Sequence, residues 1–219
     1  MTIEIDIWSD IACPWCYLGK KRLEEAVAAS GEDVAIRYRS FQLDPSAVKG
    51  ANRPHSEALA EKFNTTADRI KEMNVRLETL GAEAGIEYRF DQYMTANTRD
   101  AHRLLHLAHS LGLGPVLKDR LMKAQFTEGA LMDDAETLVR LAVEAGLPEA
   151  DARRVLSSDE FEDAVAADVA QAAAYGANGV PFFVFDSRFA ISGAQPTETF
   201  AMALAKAREA RDAEDAPVA

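Results

Sequence analysis

Two cysteines in 219 residues are too few for a disulfide framework and too few for a four-thiolate metal site. Histidine is nearly as scarce, with four in the chain. No apolar run approaches bilayer-spanning length, so no membrane partner is expected. Lysine and arginine number 24 against 36 acidic residues, a formal net charge of −12. That balance argues against a nucleic-acid or anionic-membrane surface, which needs clustered basic side chains. The opening residues, Met1-Thr2-Ile3-Glu4-Ile5-Asp6, lack the basic segment and apolar core of a secretory signal, so a cytoplasmic location is expected. There structural disulfides are rare, and a paired cysteine motif is catalytic or metal-binding. Internal repeats, a P-loop, a GxGxxG fingerprint and an HExxH motif are all missing.

Both cysteines lie in one tetrapeptide, Cys13-Pro14-Trp15-Cys16. Before it, residues 2–8 alternate apolar and polar in the period of a strand. After it, Leu18, Leu23, Ala26 and Val27 share one face of a helix over 14–29. Cys13 therefore falls at or beside the N-cap, with Pro14 at the first helical position, where its missing N–H costs nothing. Cys13 faces the unpaired N–H groups and positive end of that helix, which favour a thiolate over a thiol. Cys16 is one turn further in, placed to close a disulfide with it. Trp15 is expected outside the core, because this turn has to leave Cys13 accessible.

Nearly half the residues are apolar, 48%, enough for a substantial core. A strand over 34–39 completes a βαβ unit, and a polar loop follows from Ser40 to Gly50. The middle of the chain reads as helical. Thr65 and Thr66 start a helix whose stripe is Ala67, Ile70, Met73, Leu77, Leu80 and Ala84, followed by an extended connector through Ile86, Tyr88 and Phe90. Further helices fit 98–111, 115–126, 134–145 and 148–156, with Asp133 and Glu136 at capping-box spacing. Ser157 and Glu160 open another, running to Tyr175 with Phe161, Ala164, Val165, Val169 and Ala172 on one face. Strand character returns in Phe182-Phe183-Val184-Phe185 and Phe189-Ala190-Ile191, joined by a turn at Asp186-Ser187-Arg188. A last helix covers about 196–210, and the tail 211–219 is expected to be disordered. The expected division is 1–45 and 158–210 as one α/β domain, interrupted by an all-helical insertion over 46–157.

Five segments spread along the chain are similar to the FrnE-like branch of the DsbA family of thioredoxin-fold dithiol oxidoreductases. They are Asp10 to Gly19, Asn97-Thr98 with Ala101-His102-Arg103, Gln125 to Gly129, Gly179 to Val184, and Ser192 to Pro196. The resemblance implies a thioredoxin-like α/β fold with a large helical insertion. It also implies a cis Val180-Pro181 peptide facing the dithiol, whose backbone receives an incoming chain as an added strand. Pro14, Trp15, Val180 and Pro181 would shape the site around Cys13 and Cys16. His102 and Asn97, inside one of the matching segments, would support the redox site or a domain interface.

The implied activity is thiol–disulfide exchange with disulfide- or thiol-containing proteins or small thiols. Its direction is open, as is the choice between monomer and homodimer. The redox-active group is the Cys13–Cys16 pair itself, with no bound cofactor and glutathione as a candidate co-substrate. Glutathione-dependent isomerases and kappa-class transferases share this layout, but their sites centre on a serine. A cytosolic holdase acting through the insertion is a third reading. A zinc site would need ligands from His55, His102, His106 and His109. The last three fall on one face of the 98–111 helix, away from Ala101, Leu104, Leu105, Ala108 and Leu111. That face is expected to be solvated or to meet the other domain, and no metal is expected.

Overall fold

Alternation decides the first strand. Ile3, Ile5 and Ile7 of β1 (Ile3–Ser9) are buried on one side, and Trp8 is buried on the other. The structure, a computed structural model, describes residues 2–215. After β1 come α1 (Pro14–Ser30) and β2 (Val34–Ser40), then six helices: α2 (His55–Lys62), α3 (Ala67–Glu83), α4 (Arg99–Ser110), α5 (Gly114–Phe126), α6 (Ala135–Glu144) and α7 (Glu149–Leu156). The chain continues with α8 (Glu162–Ala174), β3 (Phe182–Phe185), β4 (Phe189–Ser192) and α9 (Thr197–Asp215).

The sheet has the order β2-β1-β3-β4. β1 and β2 run parallel with α1 as crossover, whereas β3 is antiparallel to both β1 and β4. One face buries Ile3, Ile5, Ile7, Phe183 and Phe185 under Leu23 and Ala26 of α1 and Phe200, Leu204 and Ala207 of α9. Each large side chain sealed there stabilises the fold by roughly 1.5–3 kcal/mol. On the opposite face Trp8, Phe182 and Val184 pack with Ala172 of α8. The Trp8 indole Nε1 donates to the Asp168 carbonyl at 2.8 Å, so the ring is buried without an unpaired donor. This is the thioredoxin-like α/β fold, and the helical block between β2 and α8 is its insertion.

The insertion has its own core of leucines from α4, α5 and α6, with Val155 of α7. Ile11, from the connection between β1 and α1, is fully buried in that core. The segment carrying the dithiol thus plugs the insertion into the α/β part.

Several local expectations need correction. Helix α2 had no place in the sequence reading, because its eight residues are too few to establish a period. In α3 Ile70 and Leu77 are buried as expected, but Met73 is 53% exposed and Asn74 is buried in its stead. Leu111, placed on the α4 stripe, is also exposed. Asp134, not Asp133, caps α6 by accepting from the Thr137 N–H at 2.8 Å. Asp133 instead turns inward, where it accepts from the backbone of Gly50 and Asn97. Helix α8 begins at Glu162, after Phe161 in the left-handed region, and its buried face carries Asp168 while Val169 is exposed. Finally, α9 continues through Asp215, and Arg211 pairs with Asp186 and the Thr2 carbonyl, which removes residues 211–215 from the expected tail. The remainder of that tail, 216–219, lies outside the described residues.

Candidate active site

Cys13 is the N-cap residue of α1, with extended backbone and Pro14 at the first helical position. Its carbonyl accepts from the Cys16 N–H at 3.0 Å, closing the first turn and bringing the two side chains together. Both are free thiols in hydrogen-bonding contact. The expected openness of Cys13 needs revision: it is 4% exposed, whereas Trp15 is 38% exposed. The dithiol sits against an aromatic wall supplied by Tyr17 of α1 and by Tyr88, Phe90, Tyr93 and Phe126 of the insertion.

Two of those rings hold the turn directly. The Tyr88 hydroxyl donates to the Pro14 carbonyl and the Tyr93 hydroxyl to the Ala12 carbonyl, each at 2.6 Å. Burial pushes both phenols above their ordinary range, which keeps the donating protons in place. A Cβ at Gly81 would collide with the Tyr88 ring, so glycine at that position admits it.

Facing the dithiol is the loop before β3. The Val180-Pro181 peptide is cis, and the Val180 carbonyl lies 3.6 Å from Cys13 Sγ. Close approach of this loop to α1 depends on Gly19, where an added Cβ would meet Pro181 at 3.0 Å and Phe183 at 3.2 Å. The Gly193 N–H donates to the Pro181 carbonyl at 2.8 Å, and Arg22 donates to the Ala194 carbonyl at 2.8 Å. The segments around 10–19, 179–184 and 192–196 therefore meet at one place.

A polar layer underlies the pair. Asp10, 1% exposed, accepts from the Leu43 N–H at 2.7 Å, the Ala12 N–H at 3.2 Å and the Thr98 side chain, with His102 Nε2 at 3.3 Å. These partners hold its carboxyl below the ordinary range although burial acts the other way. An ionised carboxylate only accepts, so His102 Nε2 carries the proton of that bond. Burial lowers the His102 pKa, leaving a neutral ring. Lys118 of α5, 1% exposed, makes no hydrogen bond at Nζ among the described residues, and this atom lies 5.8 Å from the centroid of the Tyr38 ring. Desolvation pulls its amine down to about 8, against an opposing pull from Cys16, Asp10 and Cys13. Burial likewise pushes the Cys16 thiol well up, and Cys13 adds to that, whereas Lys118 acts in the opposite sense.

The structure thus joins Cys13, Pro14, Trp15, Cys16, Val180 and Pro181, with His102 one step behind through Asp10. Asn97 lies elsewhere: its amide donates to the Ala47 carbonyl at 2.7 Å and its Oδ1 accepts from the Arg99 N–H at 2.9 Å. It ties the 41–53 loop to the start of α4. The histidine face is not solvated over its length. His102 is buried, and His106 sits 3.1 Å from Asp168 and 3.2 Å from the Ser40 hydroxyl through the same ring nitrogen, so the face meets the α/β part as the interdomain alternative held. His55 stacks on Tyr93, away from the other three. Among the described residues no cluster of three or more histidine, cysteine or acidic side chains is arranged to hold a metal. Asp10, Tyr88, Tyr93 and Lys118 were not singled out by sequence. The available signal for Lys118 was its place on the apolar stripe of α5, one turn before Leu121 and Met122.

A thioredoxin-type sheet, a dithiol at a helix start and a cis-proline loop against it define a dithiol oxidoreductase scaffold. The model of the DSBA-like thioredoxin domain matches residues 4–205, and the chain belongs to that family. It is similar to a probable DsbA oxidoreductase from Streptomyces coelicolor, with TM-score 0.92 and 39% identity over 99% of this chain and 93% of that one. The uncharacterized protein YwbO of Bacillus subtilis is 26% identical over 164 residues, 74% of this chain and 76% of its own. The cytosolic disulfide reductase DsbM of Pseudomonas aeruginosa shares the fold, with TM-score 0.68 and 18% identity over 94% of this chain and 98% of that one.

Proposed function

We propose that this chain is a FrnE-like dithiol oxidoreductase whose exchange chemistry runs through Cys13 and Cys16. Cys13 thiolate attacks a substrate disulfide, one substrate sulfur leaves, and Cys16 then displaces the other from the mixed disulfide. Run in reverse, a substrate thiolate opens the enzyme disulfide at Cys13. The same two sulfurs serve both directions, and the surrounding thiol pool sets the net flow.

One observation carries this reading: the carbonyl of cis Val180-Pro181 stands 3.6 Å from Cys13 Sγ at the start of α1. A backbone edge beside the reactive sulfur suits an extended substrate, which pairs with it while its disulfide meets Cys13. Pro181 has no N–H, so it adds no competing donor there. The substrates are disulfide- or thiol-containing proteins and small thiols, glutathione among them, in a cytoplasmic setting. Among the described residues no helix is long and apolar enough to cross a membrane. The glutathione-dependent isomerase or transferase alternative expects a site centred on a serine, whereas both reactive positions of this turn, 13 and 16, are cysteine.

The test measures insulin-disulfide reduction and peptide-dithiol oxidation by wild type and Cys13→Ser. Exchange by the wild type and none by the variant is expected. A Cys13→Ser protein with full activity would overturn the assignment.

A further inference from the structure

The peptides on either side of Cys13 are each held by a tyrosine from outside the α/β part. Tyr88 and Tyr93 lie on the connector between α3 and α4, so the insertion supplies both. Their hydroxyls donate to the Pro14 and Ala12 carbonyls, each at 2.6 Å, within the range of a well-formed O–H···O bond. Neither ring is free to turn away. Tyr88 stacks on Phe90 with centroids 5.1 Å apart and meets Phe126 edge-on at 5.7 Å, while Tyr93 lies against His55 at 4.1 Å and Phe126 at 5.2 Å. The connector is tied to the end of α5, where the Arg89 N–H donates to the Phe126 carbonyl and the Thr127 hydroxyl to the Glu87 carbonyl, both at 2.7 Å. Phenylalanine would satisfy this packing equally well. The hydroxyls are what packing leaves unexplained.

We infer that Tyr88 and Tyr93 are positioning residues for the nucleophile, acting through the backbone on either side of Cys13 to hold its sulfur as a thiolate and bias the dithiol toward its reduced form. This rests on the exchange reading above. Each O–H dipole points its positive end at the turn that carries the sulfur, within an apolar wall where dipoles are little screened. Donation to a carbonyl also polarises the whole peptide group and strengthens its N–H as a donor.

The Pro14 carbonyl shares its peptide with the Trp15 N–H, the first donor of α1 because Pro14 has none. An N-cap side chain accepts from the second or third N–H of its helix. The third, that of Cys16, is already taken by the Cys13 carbonyl, which leaves the Trp15 N–H for the sulfur. The Ala12 carbonyl shares its peptide with the Cys13 N–H, which donates to the Asp10 carbonyl at 3.3 Å, so Tyr93 tightens the turn that leads into the N-cap. A thiol at position 13 can donate to the Val180 carbonyl, but a thiolate only accepts, and these dipoles favour the thiolate. Stabilising it stabilises the reduced enzyme and makes the pair more oxidising.

The test uses Tyr88→Phe, Tyr93→Phe and the double variant, all of which keep the rings. Reduced protein is alkylated with iodoacetamide across a range of pH, with peptide mapping to follow Cys13 alone. Loss of one dipole at a helix start is expected to weaken the thiolate equilibrium by about twofold and loss of both by about threefold to fivefold, which raises the half-point of the alkylation profile in that order. Each protein is then equilibrated with glutathione above its half-point. There one enzyme dithiol and one oxidised glutathione give one enzyme disulfide and two reduced glutathiones. That equilibrium constant is expected to rise by the same factors.

A merely structural clamp would lower the urea midpoints of the reduced and oxidised enzymes alike and leave the glutathione equilibrium unmoved. An unchanged alkylation half-point or an unchanged equilibrium in the double variant overturns the inference. The single variants carry the same readings if the double variant does not fold. If wild type does not equilibrate with glutathione, the exchange reading fails, and the alkylation profile still judges the two tyrosines.

Discussion

At the base of the helical insertion Arg103 is 3% exposed, and beneath the dithiol Lys118 is 1% exposed; the two buried cations are satisfied in opposite ways. Arg103 donates to the carbonyls of Glu160, Val155 and Ser158 and to Asp100 at 3.0 Å, binding α4 to the chain between α7 and α8. A planar fork with several fixed donors is suited to such a knot. Lys118 makes no hydrogen bond at Nζ among the described residues, and its charge is coupled to Cys16, Asp10 and Cys13. Equal burial with unequal pairing separates architecture from chemistry. The first region should fail by unfolding, the second by losing exchange while staying folded.

The largest effect expected in the second region comes from the sulfurs. Cys13→Ser should abolish exchange and Cys16→Ser should accumulate mixed disulfides, isolable from cells on non-reducing gels, with urea midpoints close to wild type. A Cys16→Ser protein that traps nothing, or a Cys13→Ser protein that unfolds, breaks the contrast on this side.

Arg103→Met tests the other side. It leaves the Val155, Glu160 and Ser158 carbonyls without their shared donor, while Asp100 keeps Lys49 at 2.6 Å, and each buried group left unsatisfied costs about 1–3 kcal/mol. Urea unfolding should show that loss, while exchange per folded molecule stays near wild type. A stable Arg103→Met protein with impaired exchange would mean the two regions are not separable in this way.

The contrast also explains what could be read from sequence. The strands, α1 and the dithiol at its N-cap were legible because alternation, a proline at the first turn and cysteine spacing are local signals. The helices of the insertion were legible wherever an apolar stripe was long enough to fix its phase. Asp133 and Asp134 show the limit: both are acidic at a helix start, and only the fold decides that Asp134 caps α6 while Asp133 is drawn inward by the Gly50 and Asn97 N–H groups. His102 falls on a polar face whose burial depends on a partner more than 90 residues away at Asp10, and the burial of Arg103 depends on one about 55 residues away at Glu160. Lys118 broke the polarity of its own stripe, a signal that marks a place to look without naming what the lysine meets.

Lys118→Met also sharpens the comparison through stability. The folded amine titrates at about 8 and an unfolded lysine near 10.4. Between these values the unfolded chain holds a proton that the folded chain has released, so this group makes wild-type stability rise with pH across that window. At pH 7 both states are protonated and the folded one carries a penalty of about 3 kcal/mol at most. The variant lacks this dependence. Its urea-derived stability relative to wild type should be highest near pH 7 and shrink toward pH 10, with Cys16 titrating in both chains and cancelling to first order. A flat difference would show that the folded lysine is not depressed.

Lys20→Met gives the smallest expected effect and places a third cation between the other two. Lys20 is as enclosed as Arg103, at 4% side-chain exposure, but its partners Glu24 and Asp119 are 37% and 41% exposed. When the ammonium is removed, water can solvate both carboxylates, and methionine keeps the packing of the stem. The loss should therefore resemble that of an exposed pair, about 1 kcal/mol or less, with exchange unaffected. A loss as large as that of Arg103→Met would mean that enclosure of the cation alone sets the cost. A small loss shows that what matters is whether the groups left behind can reach solvent.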